Sequence, residues 1–227
     1  NIFPDIQEPS LKQYLDLVAL GTVCDVVQLK GLNRAFVKEG IDIISRNSRL
    51  GIDGLRSISG SKDIGVSELG YRIGPRINAA GRTGASDLGV RLLTSNSEDE
   101  VLAISERLNN LNKQRQNIEE TVLFEAINNV DNNITNNKLN TIPNSIIVLG
   151  ESWHLGVLGI VASRLKDKYY RPSFVISSSE GKLTGSARSI SGIDIGKLII
   201  KAINRNLLIT GGGHKMAAGF SLNEDTF

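Results

Sequence analysis

Hydrophobic residues recur every three or four positions in two segments near the start of the chain, at residues 11–18 and 36–44. This spacing places them on one face of a helix, so both segments are predicted to be helical. Ser10 can cap the first helix through its hydroxyl group, and Asn33-Arg34 opens the second. Residues 47–63 contain three glycines and are predicted to be mostly loop.

A much longer helix is predicted over residues 97–130. Ser97 is a suitable N-terminal cap, because the three acidic residues that follow it stabilise the start of a helix. Apolar residues then repeat with spacings of three and four, at Val101, Ile104, Leu108, Leu111, Ile118 and Val122. Such a helix would be about 50 Å long. Residues 97–133 hold 3 basic and 8 acidic residues. The helix is therefore interpreted as an acidic connector between domains, which would repel a polyanion.

Short apolar runs alternate with helical patterns in the last part of the chain. Residues 145–149 and 173–177 are predicted strands, and the segment between them has helical spacing. Strand, helix and strand at this spacing form a βαβ unit. A strand at 182–189, a helix at 195–203 and a final strand at 218–222 follow. The sequence therefore predicts an α/β fold, with a small α/β domain over residues 139–227.

Composition excludes some classes of protein. The single cysteine, Cys24, cannot form an intrachain disulfide bond. No apolar run approaches the roughly 18–20 residues of a membrane span, and the first residues do not resemble a signal peptide. The expectation is a cytoplasmic protein that has no membrane partner. The net charge of +2 does not by itself require a polyanionic ligand.

A glycine-rich stretch near the end of the sequence is the strongest candidate for a binding site. Gly211, Gly212 and Gly213 are followed directly by His214 and Lys215. Backbone without Cβ atoms allows close approach of a ligand, and the next two side chains add a ring nitrogen and a positive charge. The stretch is predicted to be a loop that cradles phosphate. The alternative is a plain glycine turn before a strand. No Gly-Lys-Ser/Thr sequence closes it, so it is not a Walker loop.

Polar residues in apolar surroundings mark further candidate sites. Asp16 and Asp25 interrupt an apolar run, and Asp25 is the stronger anomaly because a buried carboxylate needs a partner or a cation. The alternative is an aspartate at a helix end. Gly74-Pro75 is predicted to turn or stop an element.

Three polar residues follow that dipeptide, at Arg76, Asn78 and Arg82. Asn78 and Arg82 share a face if this segment is helical, and such a face suits an anion. The alternative for the arginines is surface salt bridges.

The last domain carries polar side chains at the ends of its elements. Ser186 and Arg188 are two residues apart on a predicted strand, so they share a face. His154 follows a strand, and both histidines of the chain lie beside glycines. This placement favours a site over a purely structural role for the histidines.

Several segments together resemble the RecJ family of single-strand-specific exonucleases, within the DHH phosphoesterase superfamily. The matching residues are Asp16 to Val27, Asn33-Arg34, Gly74 to Arg82, Trp153 to Leu165, Gly185 to Arg188 and the glycine-rich stretch. They occur in the family's order. The resemblance implies the C-terminal part of a DHH phosphoesterase domain over residues 1–92. A long interdomain helix and linker over 93–138 and a DHH-associated domain over 139–227 would follow.

The resemblance also implies an activity, namely 5′-to-3′ hydrolysis of single-stranded DNA to mononucleotides in DNA repair and recombination. Two Mn²⁺ or Mg²⁺ ions would activate water, Asp25 would bind metal, and Asn78 and Arg82 would act with it in catalysis. Nucleic-acid contacts would come from Arg76, His154, Ser186, Arg188, Gly212, Gly213, His214 and Lys215. A helicase and a single-strand-binding protein are implied as partners beside single-stranded DNA.

The family's Asp-His-His signature is absent, since no two histidines are adjacent. The chain is therefore expected to be a fragment that binds DNA without cleaving it. Two alternatives remain open. One is a DHH phosphoesterase acting on short oligonucleotides or cyclic dinucleotides, although such proteins lack a long connector. The other is a module that only binds nucleic acid.

Overall fold

The computed structural model of the chain describes residues 10–46, 48–82, 85–136, 142–179 and 181–226, except the side chains of residues 82, 136 and 226. The chain divides into two compact units, one ending at Gln114 and the other beginning at Arg115. The described part of the first unit is helical, and the second unit contains a five-stranded sheet. The predicted α/β class is confirmed.

Helices of the first unit enclose an aliphatic core. They are α1 (Leu15–Cys24), α2 (Gly31–Arg46), α3 (Leu50–Ser59), α4 (Val66–Glu68), α5 (Gly74–Arg82), α6 (Leu88–Thr94) and the first part of α7 (Glu98–Asn136). A 3₁₀ turn over Leu11–Tyr14 precedes α1. The predicted helices at 11–18 and 36–44 are thus confirmed, but Ser10 makes no capping hydrogen bond through its side chain.

The prediction of a loop over residues 47–63 is wrong, because α3 occupies most of that segment. Its glycines allow close packing rather than breaking the helix. A Cβ on Gly51 would collide with the carbonyl oxygen of Leu92 in α6, and one on Gly54 would lie 2.6 Å from Val101 in α7. Only Gly60, with φ +67°, ends a helix in the left-handed conformation that glycine favours.

Gly74-Pro75 does not stop an element either. A π-helical segment over Leu69–Ile73 joins α4 to α5, and the N–H group of Gly74 bonds to the carbonyl of Leu69. Proline lacks an N–H group and would break a regular helix. The wider π turn lets the chain continue through it, and such turns are frequent at functional sites. Residues 76–82 are helical and belong to α5, which is the condition for Asn78 and Arg82 to share a face.

Helix α7 begins at Glu98, close to the predicted start, but continues to Asn136, beyond the predicted end at residue 130, and is 39 residues long. Val101, Ile104 and Leu108 are buried in the first unit, whereas Val122, Ala126 and Val130 are buried in the second. The Ser97 hydroxyl accepts a 3.4 Å hydrogen bond from the N–H of Glu100, as expected of a cap. No helix in the described ranges is both long and apolar enough to cross a membrane.

The second unit contains a sheet with strand order β1-β2-β3-β5-β4. Its strands are β1 (Ile146–Glu151), β2 (Ser173–Ser179), β3 (Lys182–Arg188), β4 (Thr210–His214) and β5 (Ala217–Asn223), and its helices are α8 (Leu155–Tyr169) and α9 (Ile195–Asn204). β1 and β2 are parallel with α8 between them, which confirms the βαβ unit. The other neighbouring strands are antiparallel.

The two faces of the sheet differ in polarity. On one face the buried residues Leu183, Ala187, Ala218, Phe220 and Leu222 form a core with α9. On the other face α8 packs over β2 and β3. Because side chains alternate along a strand, the second face of β3, β5 and β4 carries only small or polar residues.

Candidate nucleic-acid interface

Residues of three strands line up in rows on this second face. The strand register pairs Ser186 with Gly219 and Gly219 with Gly212. The next row holds Arg188, Ala217 and His214, and the row on the other side holds Thr184, Ser221 and Thr210. Rows on one face lie roughly 7 Å apart, and Arg188 and His214 are separated by two strand spacings, about 10 Å. We call these nine residues the open sheet face.

Ser186 and Arg188 share this face, as the sequence predicted. The Nη1 atom of Arg188 donates a 3.2 Å hydrogen bond to Oγ of Ser186 and a 2.9 Å bond to the Ala187 carbonyl. These bonds fix one edge of the guanidinium group. A guanidinium group oriented in this way suits bidentate binding of a phosphate.

Gly159, in the middle of α8, leaves the space that this pair occupies. A Cβ on Gly159 would lie 2.7 Å from Nη2 of Arg188 and 3.1 Å from Oγ of Ser186. Sequence reasoning missed this residue. The available signal was a glycine inside a helix whose neighbours Leu158 and Val161 are core residues, since glycine there is unfavourable without a packing reason.

The glycine-rich stretch is a strand and not the predicted loop. Residues 210–214 form β4 at the edge of the sheet and are exposed. Strand alternation was invisible in the sequence because the three glycines have no side chains to alternate.

Close packing requires two of the three glycines of β4 but not the third. A Cβ on Gly213 would collide with the Ala217 carbonyl oxygen, and one on Gly211 would lie 2.7 Å from Ile199 in α9. A Cβ on Gly212 would have no atom within 4 Å. Its φ is not positive either, so neither packing nor backbone conformation requires glycine there. Gly212 and Gly219 thus leave a flat strip of backbone beside Ser186.

His214 stands at the end of the row that begins with Arg188. Its Nδ1 atom accepts a 3.3 Å hydrogen bond from the N–H of Met216, so in the neutral ring the proton is on Nε2. The ring is exposed, and Nε2–H can donate to an anion. Lys215 follows in the turn between β4 and β5, and its side chain is exposed as well.

His154 has a different role in the structure. It is the N-cap of α8, and its Nδ1 atom accepts a 3.1 Å hydrogen bond from the N–H of Gly156. It is five residues from Gly159, which is about 7 Å along a helix. The structure therefore does not bring His154 into the rows of the open sheet face, and its role in binding DNA stays a prediction.

In the first unit, the buried aspartate is Asp16 and not Asp25. Asp16 is 2% exposed and pairs with Arg49 from the N-terminal end of α3. Asp25 is exposed and caps the C-terminal end of α1, so the structure supports the alternative of an aspartate at a helix end. Its carboxylate makes no hydrogen bond or ion pair with any described residue. Val26 follows with φ +55°, a strained conformation for a β-branched residue.

A free carboxylate beside strained backbone is typical of a functional site. The start of α5 lies next to it, because a Cβ on Gly74 would be 2.5 Å from the sulfur of Cys24. Burial, and then the charge of Asp25, raises the pKa of Cys24 to about 11. The Cys24 thiol is therefore protonated at neutral pH.

Helix α5 directs its polar residues to different sides. Arg76 donates from Nε to Oδ1 of Asn109 in α7 at 3.1 Å, and from Nη1 to the Arg72 carbonyl at 2.6 Å. Burial and the charge of Arg72 lower the pKa of Arg76. Asn78 is exposed and makes no hydrogen bond through its side chain within the described ranges. The side chain of Arg82 lies outside the described residues.

Comparisons with known proteins agree with this architecture. The DHHA1 domain family matches residues 141–227, which contain the whole sheet. The chain thus has a helical unit and a long helix before the segment that matches the DHHA1 domain family.

Proteins that match nearly the whole length of the chain define its family more closely. The single-stranded-DNA-specific exonuclease RecJ of Haemophilus influenzae is 40% identical over 100% of this chain and 40% of its own length. RecJ of Escherichia coli is 36% identical over 98% of this chain and 39% of its own length. The crystal structure of Thermus thermophilus RecJ in complex with Mn²⁺ matches with a TM-score of 0.83 and 36% identity, over 96% of this chain and 31% of that one. The chain belongs to the RecJ family and spans about 40% of the length of these curated relatives.

The solved RecJ structures contain Mn²⁺ or Mg²⁺. Both are hard cations that prefer carboxylate oxygens, so the exposed Asp25 fits as one ligand. No group of three or more His, Cys, Asp or Glu side chains suited to a metal occurs among the described residues. The described residues thus hold no complete metal centre, and the role of Asp25 as a metal ligand stays a prediction.

Proposed function

We propose that the protein carrying this chain hydrolyses single-stranded DNA from its 5′ end, and that the open sheet face holds the terminal phosphate. The observation that carries the proposal is the hydrogen-bonded pair of Ser186 and Arg188 beside the backbone strip of Gly219 and Gly212. The names and ions of the RecJ relatives support the activity and the use of Mn²⁺ or Mg²⁺.

Each part of the open sheet face has a defined task in this proposal. Arg188 forms charge-assisted hydrogen bonds to the phosphate, and the Ser186 hydroxyl keeps the guanidinium in place. The strip of Gly212 and Gly219 allows a sugar or base to lie flat against the sheet. His214 donates from Nε2 at the far end of the row, and Lys215 adds positive charge next to it.

Hydrolysis itself requires the metal ions. When bound, they lower the pKa of water and stabilise charge on the scissile phosphate. Asp25 supplies one carboxylate ligand, and Asn78 offers an uncommitted amide near the same end of the first unit. Arg76, already bonded to Asn109, holds α5 against α7 in addition to any contact with DNA. Arg82 is proposed to act with Asn78 in catalysis.

The proposal also covers the location and the cellular role of the protein. We infer a cytoplasmic enzyme of DNA repair and recombination that works beside a helicase and a single-strand-binding protein. The domain limits proposed for it are 1–92, 93–138 and 139–227.

Binding of oligonucleotides with and without a 5′ phosphate tests the proposal. The 227-residue chain should bind a 5′-phosphorylated single strand more tightly than the 5′-hydroxyl form, and Arg188→Ala should abolish that difference. The loss corresponds to about 1.5–3 kcal/mol for charge-assisted hydrogen bonds. Arg188→Lys should restore only part of it, because lysine lacks the planar fork. Equal affinity of the wild type for both oligonucleotides would refute the assignment of the open sheet face.

A series of substrate lengths separates the alternatives. If the protein that carries this chain degrades only dinucleotides or cyclic dinucleotides, the exonuclease proposal fails. The 227-residue chain by itself should bind a labelled single strand without cleaving it in the presence of Mn²⁺. Cleavage that Asp25→Ala removes would show that the chain holds a complete metal centre after all.

A further inference from the structure

A groove with a volume of about 520 Å³ runs between α9 and the hairpin of β4 and β5. Its lining residues are Asp194, Gly196, Lys197, Ile200, Lys201, Gly213, His214 and Lys215. We call it the α9 groove. It lies on the opposite side of β4 from the open sheet face, and the nucleic-acid motifs of the sequence do not include the residues that α9 contributes.

The α9 groove carries net positive charge, because three lysines and one aspartate line it. Lys197 and Lys201 are four residues apart on one face of α9, and Lys215 lies across from them in the hairpin turn. Within the described ranges, none of these lysines forms an ion pair. The carboxylate in the groove, that of Asp194, is occupied at the helix start, where Oδ1 accepts a 3.1 Å hydrogen bond from the N–H of Lys197.

Close packing holds α9 against the hairpin. The N–H of Ile195 donates a 3.2 Å hydrogen bond to the Lys215 carbonyl. A Cβ on Gly196 would lie 3.1 Å from the carbonyl oxygen of His214. The lysines of α9 are thus held beside the hairpin at a fixed distance, rather than on a separate mobile element.

His214 connects the α9 groove to the open sheet face. It ends the row that begins with Arg188 and also lines the groove. A strand whose terminal phosphate lies at Arg188 can therefore pass His214 at the sheet edge and continue along the lysines. Because the hairpin exposes glycine backbone at that edge, no side chain of Gly212 or Gly213 obstructs the path.

We propose that the α9 groove binds the backbone of single-stranded DNA beyond the terminal nucleotide. This inference rests on the proposed function. Lysine ammonium groups neutralise successive phosphates, and the half-exposed Ile200 between Lys197 and Lys201 provides apolar surface for a sugar or base. The contact does not depend on sequence. It adds affinity only for strands long enough to pass the edge of β4.

Affinity as a function of strand length tests this proposal. Binding of the 227-residue chain is measured by fluorescence anisotropy with two 5′-phosphorylated, 3′-labelled single strands, one of about three and one of about 20 nucleotides. The variant is Lys197→Ala/Lys201→Ala. The matched control is Lys62→Ala/Lys113→Ala, which removes the same charge at exposed positions outside the groove. Thermal unfolding of each variant verifies its fold.

The Lys197→Ala/Lys201→Ala variant should weaken binding of the longer strand about 10-fold or more and leave the short strand within about 2-fold. The slope of log affinity against log salt should fall by about 1.4 for the longer strand, since two phosphate contacts are lost. Lys197→Arg/Lys201→Arg should bind like the wild type, because the charge is kept.

Three results would overturn the inference. The longer strand could bind the variant as tightly as the control, both strands could weaken equally, or a poly-glutamate peptide could bind the wild type as tightly as the DNA does. The last result would assign the α9 groove to an acidic protein. Failure of the proposed function looks different, since the wild type would then bind 5′-phosphorylated and 5′-hydroxyl strands with equal affinity.

Discussion

Replacing Gly159 with alanine should remove phosphate binding without unfolding the protein. The added methyl group would lie 2.7 Å from Nη2 and 3.3 Å from Cζ of Arg188. Ordinary contacts between nonbonded heavy atoms are about 3.5–4.0 Å long. One partner must move, and the end of the Arg188 side chain moves most easily. The backbone of α8 is held by the buried residues Leu158 and Val161 on either side of Gly159.

Gly159→Ala should change the free energy of unfolding little and the affinity for phosphate strongly. Alanine is more favourable than glycine inside a helix by about 1 kcal/mol, which offsets the cost of shifting the arginine. The free energy of unfolding should therefore change by less than about 1 kcal/mol. A displaced guanidinium loses its hydrogen bond to Ser186 and its alignment with the phosphate. Loss of charge-assisted bonds costs about 1.5–3 kcal/mol, or roughly 10- to 100-fold in affinity.

Fluorescence anisotropy with a 5′-phosphorylated oligonucleotide and thermal unfolding measure both quantities on the same sample. Gly21→Ala is the matched control, because Gly21 is also helical and no atom lies within 4 Å of its added Cβ. It should raise the free energy of unfolding by about 1 kcal/mol and leave the affinity unchanged. The reasoning about Gly159 is wrong if Gly159→Ala binds like the wild type. It is also wrong if binding falls only together with a large loss of thermal stability.

Three further predictions concern single positions. Gly212→Ala should keep the thermal stability but weaken oligonucleotide binding. Gly213→Ala should lower the unfolding temperature, because its methyl group collides with the Ala217 carbonyl. Thermal unfolding and fluorescence anisotropy compare the two variants. Val26→Asn should raise the free energy of unfolding in urea by about 1 kcal/mol. Val26 is 86% exposed, and asparagine tolerates the positive φ of this position better than valine does. An unchanged urea midpoint would show that the backbone at Val26 is not strained. Cys24 should react with iodoacetamide at pH 8 far more slowly in the folded than in the unfolded chain, because its raised pKa of about 11 keeps it protonated.

Local patterns were enough to predict α7 and the βαβ unit. Both depend on the spacing of apolar residues along one segment, and that spacing is visible in the sequence. The prediction failed at α3, where glycines in a helix were interpreted as breaks. Gly51 is there because the backbone of α6 passes close by, and that neighbour is about 40 residues away in the sequence.

The candidate site needed information that no single segment contains. Ser186 and Arg188 could be placed on one face by strand geometry alone. Their alignment with Gly219, Gly212 and His214 depends on the register of three strands. Likewise, the choice between Asp16 and Asp25 as the buried carboxylate depends on Arg49, which lies 33 residues beyond Asp16. Identical residue types in one apolar run gave no means of distinguishing them.

The open sheet face is formed largely by missing side chains, and in the proposed function this limits how tightly it can hold one nucleotide. Gly159 leaves room for the guanidinium, while Gly219 and Gly212 leave a strip of bare backbone. The remaining strong contact is the one made by Arg188, worth about 1.5–3 kcal/mol. Micromolar affinity requires about 8 kcal/mol. Most of the affinity for a strand must therefore come from contacts beyond its end, and these should be electrostatic and sensitive to salt. The lysines of the α9 groove have the charge and the position to supply them.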